Sequence, residues 1–434
     1  MNLLVTNTRN PQAYAIIRSL RPYSEKLVVT MDGKNRLDAR LSHAANSRLV
    51  DKRYYVPSPM EDWRSGTIQK ENTEREEVFI QSILGICERE EIDTVFPSFD
   101  AHVYVFSKNK ERFAKVGVLI TTPDFEAVIT PLDKYRTIQA AEEVGFPCPK
   151  TFLPRNEDDV RHMANELGFP LIMKRRFSAA GRGMRLVRNL PELLNDAGSA
   201  GENLGTFIMQ EYIPGRLNDN FSMTLDKAGE LKMAFCRKAL CHFGRFCQIW
   251  VVDSPVSHPS VVKAAKMIQK LGWWGGITVQ TKIDSRDHTP KLIEINPRIG
   301  SGLWHRTEAG INEPLMILQI ARGKEVEPVG QYPVGTVFAD PVEHSVRFGL
   351  ALADLLIYRF RIGVLGKQPL DRHNPAMPLR ELIHSIRQTY FSGRKRLSSP
   401  YTKYFFRDPL VAIIWWVQFI TRRWIQNLPR ELGR

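Results

Sequence analysis

Short apolar runs alternate with helically spaced segments through the first third of the chain. NLLVT at 2–6 reads as a buried strand, and Ala13, Ile16, Ile17 and Leu20 recur on one helix face. KLVVT at 26–30 predicts a second strand. Val78, Phe79, Ile83, Leu84 and Ile86 predict a helix over 76–91. DTVFPSFD at 93–100 reads as a strand and its exit loop. This alternation implies a small parallel sheet with covering helices, whose functional edge is the set of loops after the strands. Those loops hold Asn7, Thr8, Arg9, Ser98 and Asp100.

From Thr121 the pattern changes. The spacing predicts a helix over 133–144, the breaker GFPCP, then a helix in NEDDVRHMANELG with a glycine stop. FPLIMKRR is a strand ending in three cations, and SAAGRGM is a small-residue loop. FIMQEYIPG at 207–215, ELKMAFCRKAL and RFCQIWVVDSP read as strands, and VVKAAKMIQKLGW as a helix. ITVQTKID and KLIEIN form a hairpin pattern around SRDHTP, followed by a short helix in EPLMILQIARG.

A chain of 434 residues suits two or three domains, and 43% hydrophobic with 25% charged residues is ordinary globular composition. Five cysteines, Cys87, Cys148, Cys236, Cys241 and Cys247, are too few and odd in number for a disulfide scaffold, which fits a reducing compartment. The N-terminus lacks the basic-then-apolar pattern of a signal peptide, and no apolar run approaches a membrane span. We therefore expect a cytoplasmic protein. The net charge of +14 is uneven: residues 335–434 carry 16 Lys/Arg against 7 Asp/Glu, or +9. Whatever the basic tail binds is then separable from the chemistry.

Neither G-x-x-x-x-G-K-[ST] nor G-x-G-x-x-G occurs. The candidate phosphate loop is Ser178–Met184, where small residues let backbone N–H groups approach an anion, with Lys174 just upstream. A surface turn beside a basic strand end would have the same sequence. The hairpin is more specific. Glu294 and Asn296 share one strand face, and Gln280 joins them if the two strands pair in the right register. Three oxygen donors of this kind suit Mg²⁺, with Mn²⁺ an alternative. A buried pair of Glu294 with Arg298 or a lysine is the competing reading. Cys236, Cys241, His242 and Cys247 match no common zinc spacing and read better as free thiols.

Taken together, DKYRT with Lys134, GFPLIMKRRFSAAGRGM with Lys174, the hinge IMQEYIPG and VQTKID…LIEINPRIGSG resemble the ATP-grasp ligases. They come closest to the carbamoyl-phosphate-synthetase-like branch, in a single copy. The resemblance implies a mixed α/β and α+β protein. A small N-terminal parallel α/β domain (1–120) would precede a two-lobed ATP-grasp module (121–330, central lobe about 150–212), with a basic, mostly helical extension at 331–434. Lys134, Lys174, Ser178, Gly181 and Gly183 would hold ATP phosphates. Gln210, Glu211 and Ile213 would meet the adenine, and Asp219 the ribose. Gln280, Glu294 and Asn296 would bind the metal, and Arg298, with Lys174, would act on the transferring phosphate. The implied reaction is carboxylate activation as an acyl phosphate, followed by attack of an amine or thiol. Two features depart from the family pattern: the glycine loop has only two glycines, and Lys134 stands where some relatives have Arg.

Substrate-side candidates are Arg9 for a carboxylate, Asp100 for an amine, and Arg237, with Lys238 and Arg245, for phosphate or an acidic group. Solvated charges and helix capping explain the same residues. In the tail, RDPLVAIIWWVQFITRRW has an 11-residue apolar core, Leu410–Ile420, flanked by arginines. It resembles an interfacial helix on the anionic inner face of a membrane; a packed helix or a contact between copies is the alternative. The basic residues are interleaved with aliphatic runs, which argues against nucleic acid. A nucleotide-binding scaffold without chemistry, and a membrane-surface protein with an ATP-grasp-like core, remain the rival functions.

Overall fold

The computed structural model describes residues 1–33, 36–59, 69–178, 183–215, 218–243, 247–253, 258, 260–338, 396–397 and 399–427, with isolated positions 349, 356, 380, 383 and 387. Three sheets organise it. The first has five parallel strands: β1 (Asn2–Thr6), β2 (Lys26–Gly33), β3 (Lys52–Pro57), β4 (Thr94–Pro97) and β5 (Leu119–Ile120). Their order, β3-β2-β1-β4-β5, reverses direction at β1. The crevice of such a sheet opens between the carboxyl ends of β1 and β4, beside Asn7 and Ser98. Asn7 is held there at a φ of 57°, in the left-handed region.

The second sheet has four antiparallel strands: β6 (Thr151–Phe152), β7 (Leu171–Arg175), β8 (Arg185–Val187) and β9 (Phe207–Glu211), in the order β6-β9-β7-β8. Leu171, Met173 and Met209 face helices Glu157–Leu167 and Leu190–Ala200 and bury a core of their own with Val160, Ala164 and Leu193. Alternation then turns Ile172, Lys174, Ile208 and Gln210 to the opposite face.

The third sheet has seven strands: β10 (Asn218–Leu225), β11 (Leu231–Phe243), β12 (Cys247–Asp253), β13 (Gly275–Ile283), β14 (Pro290–Asn296), β15 (Val337–Phe338) and β16 (Arg396–Leu397). One face, with Phe221, Met223, Val279, Leu292 and Ile295, packs on helix Val261–Lys270 and joins the core of the first sheet. The other face carries the polar residues described below.

The sequence-based expectations differ from the structure in three informative places. Helix Glu74–Glu90 buries Phe79, Ile80, Ile83, Ile86 and Cys87, while Val78 faces solvent, so its apolar face is rotated from the one expected. Asp100–Ala114 is a helix rather than only an exit loop. The described part of the tail is joined to the body: β15 and β16 extend the large sheet, and helix Pro409–Asn427 packs on the N-terminal domain. Its anchor is buried Asp408, which accepts hydrogen bonds from Tyr14 Oη (2.7 Å), Ser47 Oγ (2.9 Å) and the Arg48 amide (2.8 Å). The apolar stretch FGLALADLLIYRFRIGVLG lies almost wholly outside the described residues.

Candidate active site

The polar face of the large sheet is built by strand register. Arg237 on β11 lies opposite Asn220 on β10, Asn220 opposite Gln280 on β13, and Gln280 opposite Glu294 on β14. Directly paired residues share a face, so these four side chains form one row. Ser222, Thr278 and Asn296 form the next row. Asn296 Nδ2 donates to Glu294 Oε1 at 3.4 Å, and Arg298 donates to Asn296 Oδ1 at 3.1 Å. The register therefore places Gln280, Glu294 and Asn296 on one face of the sheet. Glycines make room for it. A Cβ on Gly300 would stand 2.5 Å from Thr278 Oγ1, and one on Gly302 would stand 2.6 Å from the Arg237 guanidinium.

Two lysines approach from other elements. Asp133 caps helix Lys134–Glu143 by accepting from the Tyr135 amide at 3.0 Å, which fixes Lys134 at the first helical position. Lys134 Nζ donates to the Ser178 carbonyl at 2.7 Å. Lys174 projects from the helix-free face of the small sheet and is only 5% exposed. Burial, reinforced by the Lys134 charge, lowers its pKa to about 8 against the opposing pull of Glu294. Burial lowers Lys134 as well, and Glu294, Asp100 and Asp133 pull it back up. Both lysines thus feel the Glu294 carboxylate of the large sheet. The Lys174 ammonium has no hydrogen bond or ion pair among the described residues.

A buried ammonium beside a row of oxygen donors has the chemistry to take a phosphate together with a hard metal ion. Three buried oxygens nearby, Asn220 Oδ1, Thr278 Oγ1 and Asp100 Oδ1, also lack hydrogen-bond partners. The donor set is one carboxylate and two amides, all oxygen, which fits a hard cation that shares its sphere with phosphate. No group of three or more His, Cys, Asp or Glu occurs among the described residues, so this candidate site relies on its amides.

The other expected residues fall as follows. Gln210 is buried and donates to Thr151 Oγ1 at 2.8 Å. The Glu211 side chain turns to the opposite face, where it accepts from Arg286 and from the Lys150 amide. Ile213 is buried just past β9. Asp219 requires a correction: it lies on the far face of the sheet from Glu294, its Oδ2 3.1 Å from buried His258 Nε2. The alternation of β10 sends Asp219 with Phe221 and gives the polar face to Asn220. Gly183 adopts a φ of 71° against Arg175, whereas Gly181 and Arg182 lie outside the described residues.

Asp100 does not stand open for an amine. Its Oδ2 accepts from Arg298 Nε at 3.0 Å, tying the N-terminal domain to the segment just after β14. Arg9 is half-buried in the loop after β1. Arg237 is buried; its pKa falls to about 9 through burial and the Arg306 charge, and it bonds His305 Nδ1 at 2.9 Å. Lys238 pairs with Asp253 at 2.7 Å, and Arg245 lies outside the described residues. Cys87, Cys148 and Cys236 are free thiols; the side chains of Cys241, His242 and Cys247 are outside the description.

Sequence reasoning missed the support beneath the row. Arg306, fully buried, donates to Glu313 Oε2 at 2.5 Å and to Ser222 Oγ at 2.6 Å. Glu313 also accepts from Thr224 at 3.2 Å. The spacing of Arg306 and Glu313 across a helix break carries no signal of pairing. Asn220 could have been found from the alternation of NDNFSMTL alone.

Two family models match this region. One, described as carbamoyl-phosphate synthase L chain, ATP binding domain, matches residues 133–213, which hold Lys134, Lys174 and the small sheet. The other, described as ATP-grasp in the biosynthetic pathway with Ter operon, matches residues 221–338. Among curated proteins, the carbamoyl phosphate synthase large chain of Deinococcus radiodurans is 25% identical over 51% of this chain and 23% of its own length. That of Sulfurisphaera tokodaii is 23% identical over 49% of this chain and 22% of its own length. The match thus spans less than a quarter of those relatives. Among solved structures, a biotin carboxylase from Campylobacter jejuni superposes with a TM-score of 0.60 at 20% identity, covering 77% of this chain and 73% of its own. The biotin carboxylase domain of Hydrogenobacter thermophilus 2-oxoglutarate carboxylase, solved as a dimer with MgADP and bicarbonate, gives a TM-score of 0.59 at 17% identity. It covers 75% of this chain and 70% of its own. These two likenesses establish a shared fold, with a parallel α/β sheet followed by antiparallel sheets.

Proposed function

The chain belongs to the ATP-grasp family, and from that premise we propose that it is an ATP-dependent ligase. It would activate a carboxylate as an acyl phosphate and join it to an amine or thiol, releasing ADP and phosphate. The observation that carries this reading is Lys174: a buried ammonium with no ion pair or hydrogen bond among the described residues, within the field of Glu294 and beside a second buried lysine. Such a cation costs stability unless an anion arrives, and a nucleotide phosphate supplies that anion.

The residues divide the work as follows. Lys134 and Lys174 hold phosphate oxygens, beside the Ser178 carbonyl that already accepts from Lys134. The helix-free face of the small sheet, with Gln210 and then Ile213, borders the base. Gln280, Glu294 and Asn296 would hold Mg²⁺ or Mn²⁺, which when bound neutralises charge between phosphate oxygens. Asn296 orients Glu294 through its amide, and Arg298 in turn orients Asn296 while lying next in line for the transferred group. A substrate carboxylate oxygen attacks the γ-phosphorus and the bond to the ADP oxygen breaks. The nucleophile then attacks the acyl carbon, phosphate departs with the bonding pair, and the nucleophile's proton passes to solvent. Catalysis here is positioning and charge stabilisation, which needs no protein nucleophile.

The test is ADP release with MgATP against panels of carboxylates combined with amines or thiols, with Glu294→Ala as the control. At least one acid–nucleophile pair should raise ADP release well above that control. Nucleotide binding with no pair exceeding the control would overturn the ligase reading in favour of a nucleotide-binding scaffold.

A further inference from the structure

Helix Pro409–Asn427 has two apolar faces, and the described residues pack on only one of them. Val411 and Ala412 are buried against the N-terminal domain. Trp415 stacks on Tyr401 at 4.5 Å and Trp416 on Phe405 at 5.4 Å. With Asp408 anchored in the same seam, this face is fully committed to packing. The outer face is apolar too. Phe406 is 92% exposed, Leu410 59%, Ile413 45% and Val417 52%. Leu410, Ile413 and Val417, three and four residues apart on the helix, lie in one stripe, and Phe406 sits in the turn just before it. Exposed Arg407 stands next to Phe406.

Charge selects the occupant of that stripe. Residues 394–434 contain nine Lys/Arg and two Asp/Glu, and one of those acids, Asp408, is buried. No helix among the described residues is long and apolar enough to cross a membrane. A second copy is a poor occupant, because a two-fold contact through the stripe would set two strongly basic segments against each other. We propose that the helix stripe of Leu410 and Ile413, with Phe406 of the preceding turn, lies on the surface of an anionic phospholipid bilayer. The helix axis runs along the surface, the apolar side chains enter the headgroup boundary, and exposed Arg407 meets lipid phosphate. Because the inner face is fixed to residues of helix Pro11–Leu20 and the 43–49 segment, the bilayer would hold the N-terminal domain directly.

The experiment is sedimentation of the full chain with vesicles of phosphatidylcholine alone, or of equal parts phosphatidylcholine and phosphatidylglycerol. Binding should require phosphatidylglycerol and weaken with added salt. The double variant Leu410→Glu/Ile413→Glu, altered only at exposed positions, should bind at least about tenfold more weakly while melting at the wild-type temperature. Glu294→Ala should sediment as the wild type does, so failure here is separable from failure of the ligase reading. Three results would overturn the proposal: no sedimentation with anionic vesicles, equal sedimentation by the double variant, or a lipid-free dimer that the double variant dissolves.

Discussion

Two buried cations lie close to the same polar sheet face, and they are treated in opposite ways. Arg306 is enclosed with Glu313, and its remaining donors reach Ser222 Oγ and the Gly300 carbonyl. Burial pushes Arg306 down and Glu313 up, and each opposes the other's shift by pairing. Lys174 is as thoroughly buried, yet its neighbours include another lysine and no bonded acid. The first arrangement is balanced among the described residues; the second is the one for which we propose a phosphate partner.

The strongest break of this contrast is Glu313→Ala. It leaves Arg306 buried and unpaired, and should lower unfolding free energy by about 3–5 kcal/mol in urea titration. A loss below about 1 kcal/mol would mean the pair is not what holds helices Leu303–Glu308 and Glu313–Ala321 to the sheet. Lys174→Met should act in the opposite direction. Without nucleotide it should stabilise the protein by about 1–3 kcal/mol at pH 7, since a depressed lysine disfavours the folded state wherever it must be protonated. The sign follows from the lowered pKa of about 8. The unfolded chain binds the extra proton between about pH 8 and 10.5, so the wild type regains stability across that window and the variant's advantage disappears. The same variant should bind MgATP at least about tenfold more weakly in calorimetry. Asn220→Ala should do least to the fold. Its Oδ1 has no partner to lose, so stability should move by less than about 1 kcal/mol, while ATP-dependent turnover falls about tenfold.

Legibility of these features in the sequence followed sequence distance and pattern. The hairpin was readable because Gln280, Glu294 and Asn296 sit on two alternating strands joined by a short turn, and the register places Gln280 opposite Glu294. The alternation of NDNFSMTL turns Asn220 to the polar face, but its partnership with Gln280 is not legible, because it links strands separated by β11, β12 and a helix. Helix Asp100–Ala114 escaped notice because Ala101 to Ser107 are all buried, which erases the polar–apolar period that marks a helix. The apolar run with flanking arginines in the tail marks a helix, and Pro409–Asn427 is one. What could not be read was its anchor, since Asp408 meets Ser47 and Arg48 about 360 residues away in the chain.

The most direct test of the central claim, that Lys174 awaits a phosphate anion, is proton uptake on MgATP binding, measured calorimetrically in buffers of different ionisation enthalpy. At pH 9 the free Lys174 is mostly neutral given its lowered pKa of about 8, and a bound phosphate should restore its proton. The account predicts uptake of nearly one proton at pH 9, little at pH 6.5, and none at either pH for Lys174→Met. Binding heats at pH 9 that are identical in all buffers for the wild-type protein would contradict it.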